Sequence, residues 1–127
     1  MGFTTRTIGK VKVLELSGSF DRFNVQIVHQ CLEEATAQPP AHIVLNLKAV
    51  DLLDSSALAA LVYGVKRARL VNGDLRLCCL QRSTRLLFEM TRMDKVFEIF
   101  LFEADAIQAF ADVEQYTQVP QHRYTER

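Results

Sequence analysis

The chain has 127 residues, 49% of them hydrophobic, and its fifteen basic and fifteen acidic side chains leave no formal net charge. That length suits one domain with a real core and is short for two, and the balanced charge excludes a global field that would recruit nucleic acid or an anionic bilayer. The opening MGFTTRTIGK lacks the apolar core of a signal peptide, and no stretch approaches the roughly eighteen apolar residues of a membrane span, so a cytoplasmic protein without direct membrane insertion is expected.

Two short strands open the chain, about Phe3 to Ile8 and Val11 to Leu16, joined across Gly9-Lys10. In the second, Val11, Val13 and Glu15 share one face and Lys12, Leu14 and Leu16 the other, so burial on both sides at its end is expected. Gly18 marks a turn. Asp21 is a candidate N-cap for the first helix, along which Val25, Val28, Cys31 or Leu32, and Ala35 recur until Pro39-Pro40.

The run HIVLNLKAV carries Ile43, Val44, Leu45 and Leu47 almost without interruption, as a central strand covered on both faces would. A second helix follows from Ser55 or Ser56 to about Val71, with Leu58, Leu61, Val62, Val65 and Ala68 as its inward stripe and VNGD as its stop. LRLCCL is a strand, STRLLFEMTRM a helix with Ser83 as candidate cap, VFEIF a short strand and EADAIQAFADV a last helix turned inward through Ala106, Ile107 and Phe110.

The order is thus ββαβαβαβα: an α/β domain, residues 1–112, with a largely parallel or mixed sheet and an antiparallel edge. Residues 113–127 form a polar tail without a period, expected to be loosely ordered. Net charge near zero leaves self-association into a homodimer open.

Chemistry is sparse along this chain. Cys31, Cys78 and Cys79 offer no CxxC spacing, and alternation within a strand sends Cys78 and Cys79 to opposite faces, so they read as structural thiols. His29, His42 and His122 are too dispersed for a zinc set. The phosphate-cradling glycine motifs GxxxxGK[ST] and GxGxxG do not occur. Arg82, Arg85, Arg92 and Lys95 are interrupted by Glu89 and Asp94, which argues against direct contact with nucleic acid. No cofactor is implied.

The informative stretch is VDLLDSSALAALVYG, Val50 to Gly64. It places Asp54, Ser55 and Ser56 between the carboxyl end of an apolar strand and the start of a helix, where ligand-facing loops of α/β sheets gather. The simplest account makes one serine the N-cap, worth about 0.5 to 2 kcal/mol. Three consecutive polar groups exceed what capping needs, and a phosphoryl group on the first serine would meet free backbone N–H groups and the positive end of the helix dipole. A catalytic serine would need a neighbouring base and the GxSxG elbow, which DSSAL lacks. Ala57, Ala60 and Gly64 also form a strip of small residues. It is either a close contact inside the domain or a flat docking surface leading from Ser55, with Tyr63, Lys66 and Arg67 at its edges.

With HIVLNLKAVDLLDSSALAALV, NGDLRLCCLQRSTRLLFEMTRMDKVFEIF and the early LSGSFD in this order, the chain resembles the sulfate-transporter and anti-sigma-factor-antagonist (STAS) domain over about residues 3 to 112. The resemblance implies a STAS-like fold with a mixed sheet of four to five strands, flanked mainly on one face by about four helices, and no catalytic activity. It implies Ser55 as phosphoacceptor, with Asp21, Asp54, Ser56 and Ala57 supporting the switch loop and Ala60, Tyr63, Gly64 and Arg67 on the partner-binding side. The implied partners are an anti-sigma factor serine kinase, which binds the unmodified protein and releases its sigma factor, and a metal-dependent serine phosphatase that reverses the modification. Ala57 departs from the family pattern, which has glycine there, and a Cβ adds bulk beside the phosphoacceptor. An accessory subunit of a lipid-exporting ATP-binding-cassette complex, and a regulator of surface behaviour or secretion, are the alternative roles within the family.

Overall fold

The computed structural model describes residues 1–115, the last four by their backbone alone. Its elements are β1 (Gly2–Ile8), β2 (Val11–Phe20), α1 (Val25–Ala35), β3 (His42–Leu53), α2 (Ser55–Leu70), β4 (Asp74–Cys78), α3 (Arg82–Met90), a 3-10 turn at Met93–Lys95, β5 (Ile99–Phe100) and α4 (Glu103–Gln115). They form one five-stranded sheet in sequential order, β1-β2-β3-β4-β5. β1 pairs antiparallel with β2, and every other pairing is parallel.

Strand alternation divides the core between the two faces. Leu14, Leu16, Ile43, Leu45, Leu47, Leu75 and Leu77 join Val28, Leu32, Leu61, Val65 and Phe88 from α1, α2 and α3 in one cluster. Val11, Val13, Val44 and Cys78 meet Ala106 and Phe110 of α4 in the other. Three helices therefore cover one face and one covers the second, as the mixed-sheet expectation required, and the nearly continuous apolar run of β3 is explained by burial on both sides.

The α4 face is the more polar. Arg76 of β4 lies 3.0 Å from Glu98 and 3.5 Å from Asp74, all three buried. Phe110 sits over this group, its centroid 4.0 Å from the Arg76 guanidinium carbon and 4.6 Å from the stacked ring of His42. At the start of α4, Glu103 accepts from Arg6 at 2.7 and 2.8 Å and from the Asn46 side-chain amide at 2.8 Å. Burial pushes its carboxyl up, but the hydrogen bonds from Asn46 and Arg6 outweigh that and hold it below the usual range.

Several local expectations change. β2 continues past Leu16 to Phe20 because Gly18, at φ 91°, and two register shifts absorb the irregularity that reads as a turn. β5 is only two residues long, although VFEIF reads as five. Asp21 does not cap α1: Asn24 occupies that position, and Asp21 instead accepts from the Phe23 amide within the loop. Ser83 lies inside α3, whose N-cap residue is Gln81. Cys79 falls just after β4 with φ 64°, so Cys78 and Cys79 both lie against the α4-side cluster and do not alternate across a strand. α4 runs to Gln115, past the expected boundary at residue 112, and the rest of the expected tail, with His122, lies outside the described residues.

Candidate functional site

Parallel pairing of β2 and β3 brings Phe20 opposite Leu53, so the loop before α1 and the start of α2 emerge side by side at the carboxyl end of the sheet. The Asp54 amide donates to Phe20 O at 3.3 Å at this junction. One carboxylate oxygen of Asp54 accepts from the Ala57 amide at 3.0 Å, and the other accepts from the Arg22 amide at 3.0 Å. Asp54 is therefore the N-cap of α2, and neither serine serves that purpose. A single carboxylate closes the helix and ties the neighbouring loop to it.

The neighbouring loop, residues 21–24, has its own internal order. Asp21 Oδ1 accepts from the Phe23 amide at 3.0 Å and from Asn24 Nδ2 at 3.2 Å, while Asn24 Nδ2 also donates to Ser19 O at 2.8 Å. Asx turns of this kind hold short loops without a long side-chain network. The result leaves the Arg22 guanidinium 4.9 Å from the Phe23 ring centroid, with Phe23 79% exposed. Leu52, at the end of β3, is also exposed. Sequence reasoning passed over Arg22, Phe23 and Leu52, which no motif or period marks.

Ser55 is exposed at the first position of α2, Ser56 is half-buried and Ala57 is fully buried. The Ala57 methyl belongs to the core, so its bulk lies beneath the helix rather than beside the Ser55 hydroxyl. Ala57 also does not adopt the positive φ that a glycine would relieve.

Ala60 and Gly64 are buried as well, so of the two readings of the small-residue strip the burial matches the close contact inside the domain. A Cβ on Gly64 would come within 2.8 Å of Leu32 Cδ1 of α1. Tyr63 and Arg67 line the same seam, half-buried. The Tyr63 hydroxyl donates to Glu33 at 3.0 Å and its ring stacks on His29 at 4.3 Å, while Arg67 donates to Thr36 Oγ1 at 2.9 Å.

Among the described residues the remaining candidate chemistries find no assembled site. His29 and His42 are engaged with Tyr63 and Phe110, on other parts of the domain. Among the described residues no group of three His, Cys, Asp or Glu side chains could hold a metal ion, and no helix is long and apolar enough to cross a membrane. Cys31, Cys78 and Cys79 are free thiols. Burial, followed by contact with Cys79, pushes the Cys78 thiol far up, and burial raises that of Cys31, so neither is a ready nucleophile.

The chain is 28% identical over 98 residues to an anti-sigma F factor antagonist of Paenibacillus polymyxa, covering 76% of this chain and 84% of that protein. Its fold matches the crystal structure of an anti-sigma factor antagonist from Mycobacterium paratuberculosis with a TM-score of 0.76 at 24% identity, over 85% of this chain and 92% of the other. It also matches the Bacillus cell fate determinant SpoIIAA in its phosphorylated form, with a TM-score of 0.67 at 19% identity over 86% of this chain and 99% of the other. At these identities the two structural likenesses are likenesses of fold. The STAS domain model matches residues 3–106, with Ser55 and the loop at 21–24 inside the matched span, and this chain belongs to the STAS domain family.

Proposed function

We propose that this chain is a phospho-regulated anti-sigma factor antagonist or a related partner-switching protein, with Ser55 as the modified residue. The observation that carries the proposal is the division of labour between neighbours: Asp54 caps α2 and Ser55 is left exposed. A hydroxyl with no capping duty can be modified while the fold stays closed. The 28% identity to an anti-sigma F factor antagonist supports this class of function.

In this reading the unmodified protein docks on a cytoplasmic serine kinase that is also an anti-sigma factor, and the kinase lets go of its sigma factor. The docking surface combines Ser55, Arg22 and Phe23 with the outer face of α2, where Ala59 is exposed, bordered by half-buried Tyr63 and Arg67. Asp21, Asp54, Ser56 and Ala57 hold the switch loop in place. The Ser55 hydroxyl oxygen attacks the γ-phosphorus of ATP held on the kinase: an O–P bond forms, the bond to the β–γ bridging oxygen breaks, ADP leaves and the hydroxyl proton is released. Phosphoserine brings about −1.5 to −2 charges to the surface beside Asp54. The positive end of α2 and its first amides tolerate that charge, but a partner fitted to a neutral serine does not. A metal-dependent serine phosphatase hydrolyses the ester and restores docking.

Phosphosite mapping on protein from growing and stressed native cells, read on the tryptic peptide Ala49–Lys66, tests the assignment. Phosphate on Ser55 that varies with condition is the expected result. A fully covered peptide that is unmodified in every condition would replace the switch with constitutive binding, as in an accessory subunit of a transport complex. Ser55→Ala should bind the kinase as the unmodified chain does, and Ser55→Asp more weakly; equal binding would sink the electrostatic mechanism.

A further inference from the structure

The two edges of the sheet are unequal. β5 offers only Ile99–Phe100, whereas β1 presents seven residues, all exposed, with no strand on its outer side among the described residues. Edge strands are normally guarded by proline, by a bulge, by lysine or by a free inward-pointing charge. GFTTRTI contains neither proline nor lysine, and its pairing with β2 runs from Gly2 to Ile8 without a register shift. Its one charge, Arg6, is held by Glu103 of α4 and neutralised.

The backbone geometry shows which groups the edge offers. Ile8 pairs with Val11 across the two-residue loop Gly9-Lys10, and Gly9 has φ 60° at the first loop position, as in a II′ hairpin. The closing pair of such a hairpin is hydrogen-bonded, so Ile8, Arg6, Thr4 and Gly2 turn their N–H and C=O toward β2. Phe3, Thr5 and Thr7 turn theirs outward.

We infer that β1 is a pairing edge for a second copy of this chain, antiparallel and centred on Thr5. In that register Thr5 faces Thr5, Phe3 faces Thr7 of the other copy, and all the outward N–H and C=O groups of the three residues are paired. The side chains agree with the backbone. Threonine against threonine is a favourable cross-strand pair, Thr4 meets Arg6 of the other copy without opposing charges, and exposed Ile8 covers the space over Gly2. Centring the pair on Arg6 would instead set two guanidinium groups against each other. A groove of about 350 Å³ between β1 and α1, lined by Phe3, Thr5, Leu14 and Cys31 and by the charged Lys12 and Glu34 among others, runs alongside this edge, and the second copy would wall its open side. The product is a ten-stranded sheet. This inference stands apart from the assignment of Ser55, which lies at the carboxyl end of β3 and not on β1.

Sedimentation equilibrium of the full chain tests it. The mass should rise from one chain to two with concentration, and Thr5→Lys, which opposes two ammonium groups at the centre, should weaken the dimer roughly tenfold or more. The circular dichroism spectrum and the unfolding midpoint at a concentration where both chains are monomeric should not change, because Thr5 is exposed. Hydrogen exchange on the unaltered chain gives an independent readout: the amides of Phe3, Thr5 and Thr7 should slow as concentration rises, while those of Thr4 and Arg6 should not. A chain that stays monomeric up to millimolar concentration, a dimer indifferent to Thr5→Lys, or a dimer whose outward β1 amides exchange as fast as in the monomer would each overturn the inference.

Discussion

The carboxylate of Asp54 and the backbone amide of Arg22 meet at 3.0 Å, joining the start of α2 to the loop that precedes α1. Because the same side chain also accepts from the Ala57 amide, loop position and helix cap depend on one residue. Asp54→Ala should cost about 1 to 2 kcal/mol, chiefly the lost cap, since water can satisfy the exposed Arg22 amide. Ser55→Ala should stay within about 0.5 kcal/mol of the parent. Urea denaturation of the two variants separates these roles, and equal losses would show that Ser55 has a structural part.

Gly73 tolerates no side chain. A Cβ there would stand 1.8 Å from Ala41 O and 2.4 Å from its carbonyl carbon, and both are backbone atoms that cannot swing away. Gly73→Ala should destabilise the domain by about 3 kcal/mol or more, since the turn into β4 must open to admit the methyl. Gly64→Ala should cost less, because there the Cβ meets the tip of the Leu32 side chain, and alanine gains about 1 kcal/mol in helix propensity. A thermal melt of each variant orders the two.

Removing the Arg76 cation takes from buried Glu98 the guanidinium that lies 3.0 Å away, while Asp74 keeps Arg69 at 2.9 Å. Arg76→Met, which keeps the length of the side chain but not its charge, should therefore destabilise by about 3 to 5 kcal/mol. Urea denaturation of the variant beside the parent decides the point, and an unchanged midpoint would overturn it.

Glu103 makes a contribution of its own to acid stability. Its folded-state pKa is depressed, so between that value and the unfolded one the unfolded chain binds more protons and stability rises with pH. The contribution is present above the unfolded value, about 4.3, and is lost as pH falls through the folded one. Glu103→Gln should flatten the dependence of unfolding free energy on pH in that acid window and leave its slope near neutrality unchanged. The effect should be modest, because water and salt screen the Arg6–Glu103 pair.

Much of the fold is legible because apolar period and punctuation agree. The run from Ile43 to Leu47 reads as a strand covered on both sides, and Val28, Leu32 and Ala35 fall at helical spacing and are buried. Three polar residues in a row hide which of them caps α2, because aspartate and serine satisfy the same amide and only the approach of the Arg22 loop selects Asp54. The small strip was ambiguous for a similar reason: Ala60 and Gly64 suit a close contact with any surface, and the position of Leu32 decides that it is α1. Phe23 shows the limit of pattern reading, since an exposed ring in a turn looks like any other aromatic until its loop is placed beside Ser55.

The seating of Phe110 gives the protein a built-in spectroscopic reporter. The chain has no tryptophan, so intrinsic fluorescence says little about the sheet. Phe110 lies nearly parallel to the His42 ring, at 20° and 4.6 Å. In that position its circulating π electrons shield the imidazole protons and move their resonances upfield. The proton spectrum of a single histidine at the head of β3 thus registers whether α4 is lying on the sheet, with no label attached.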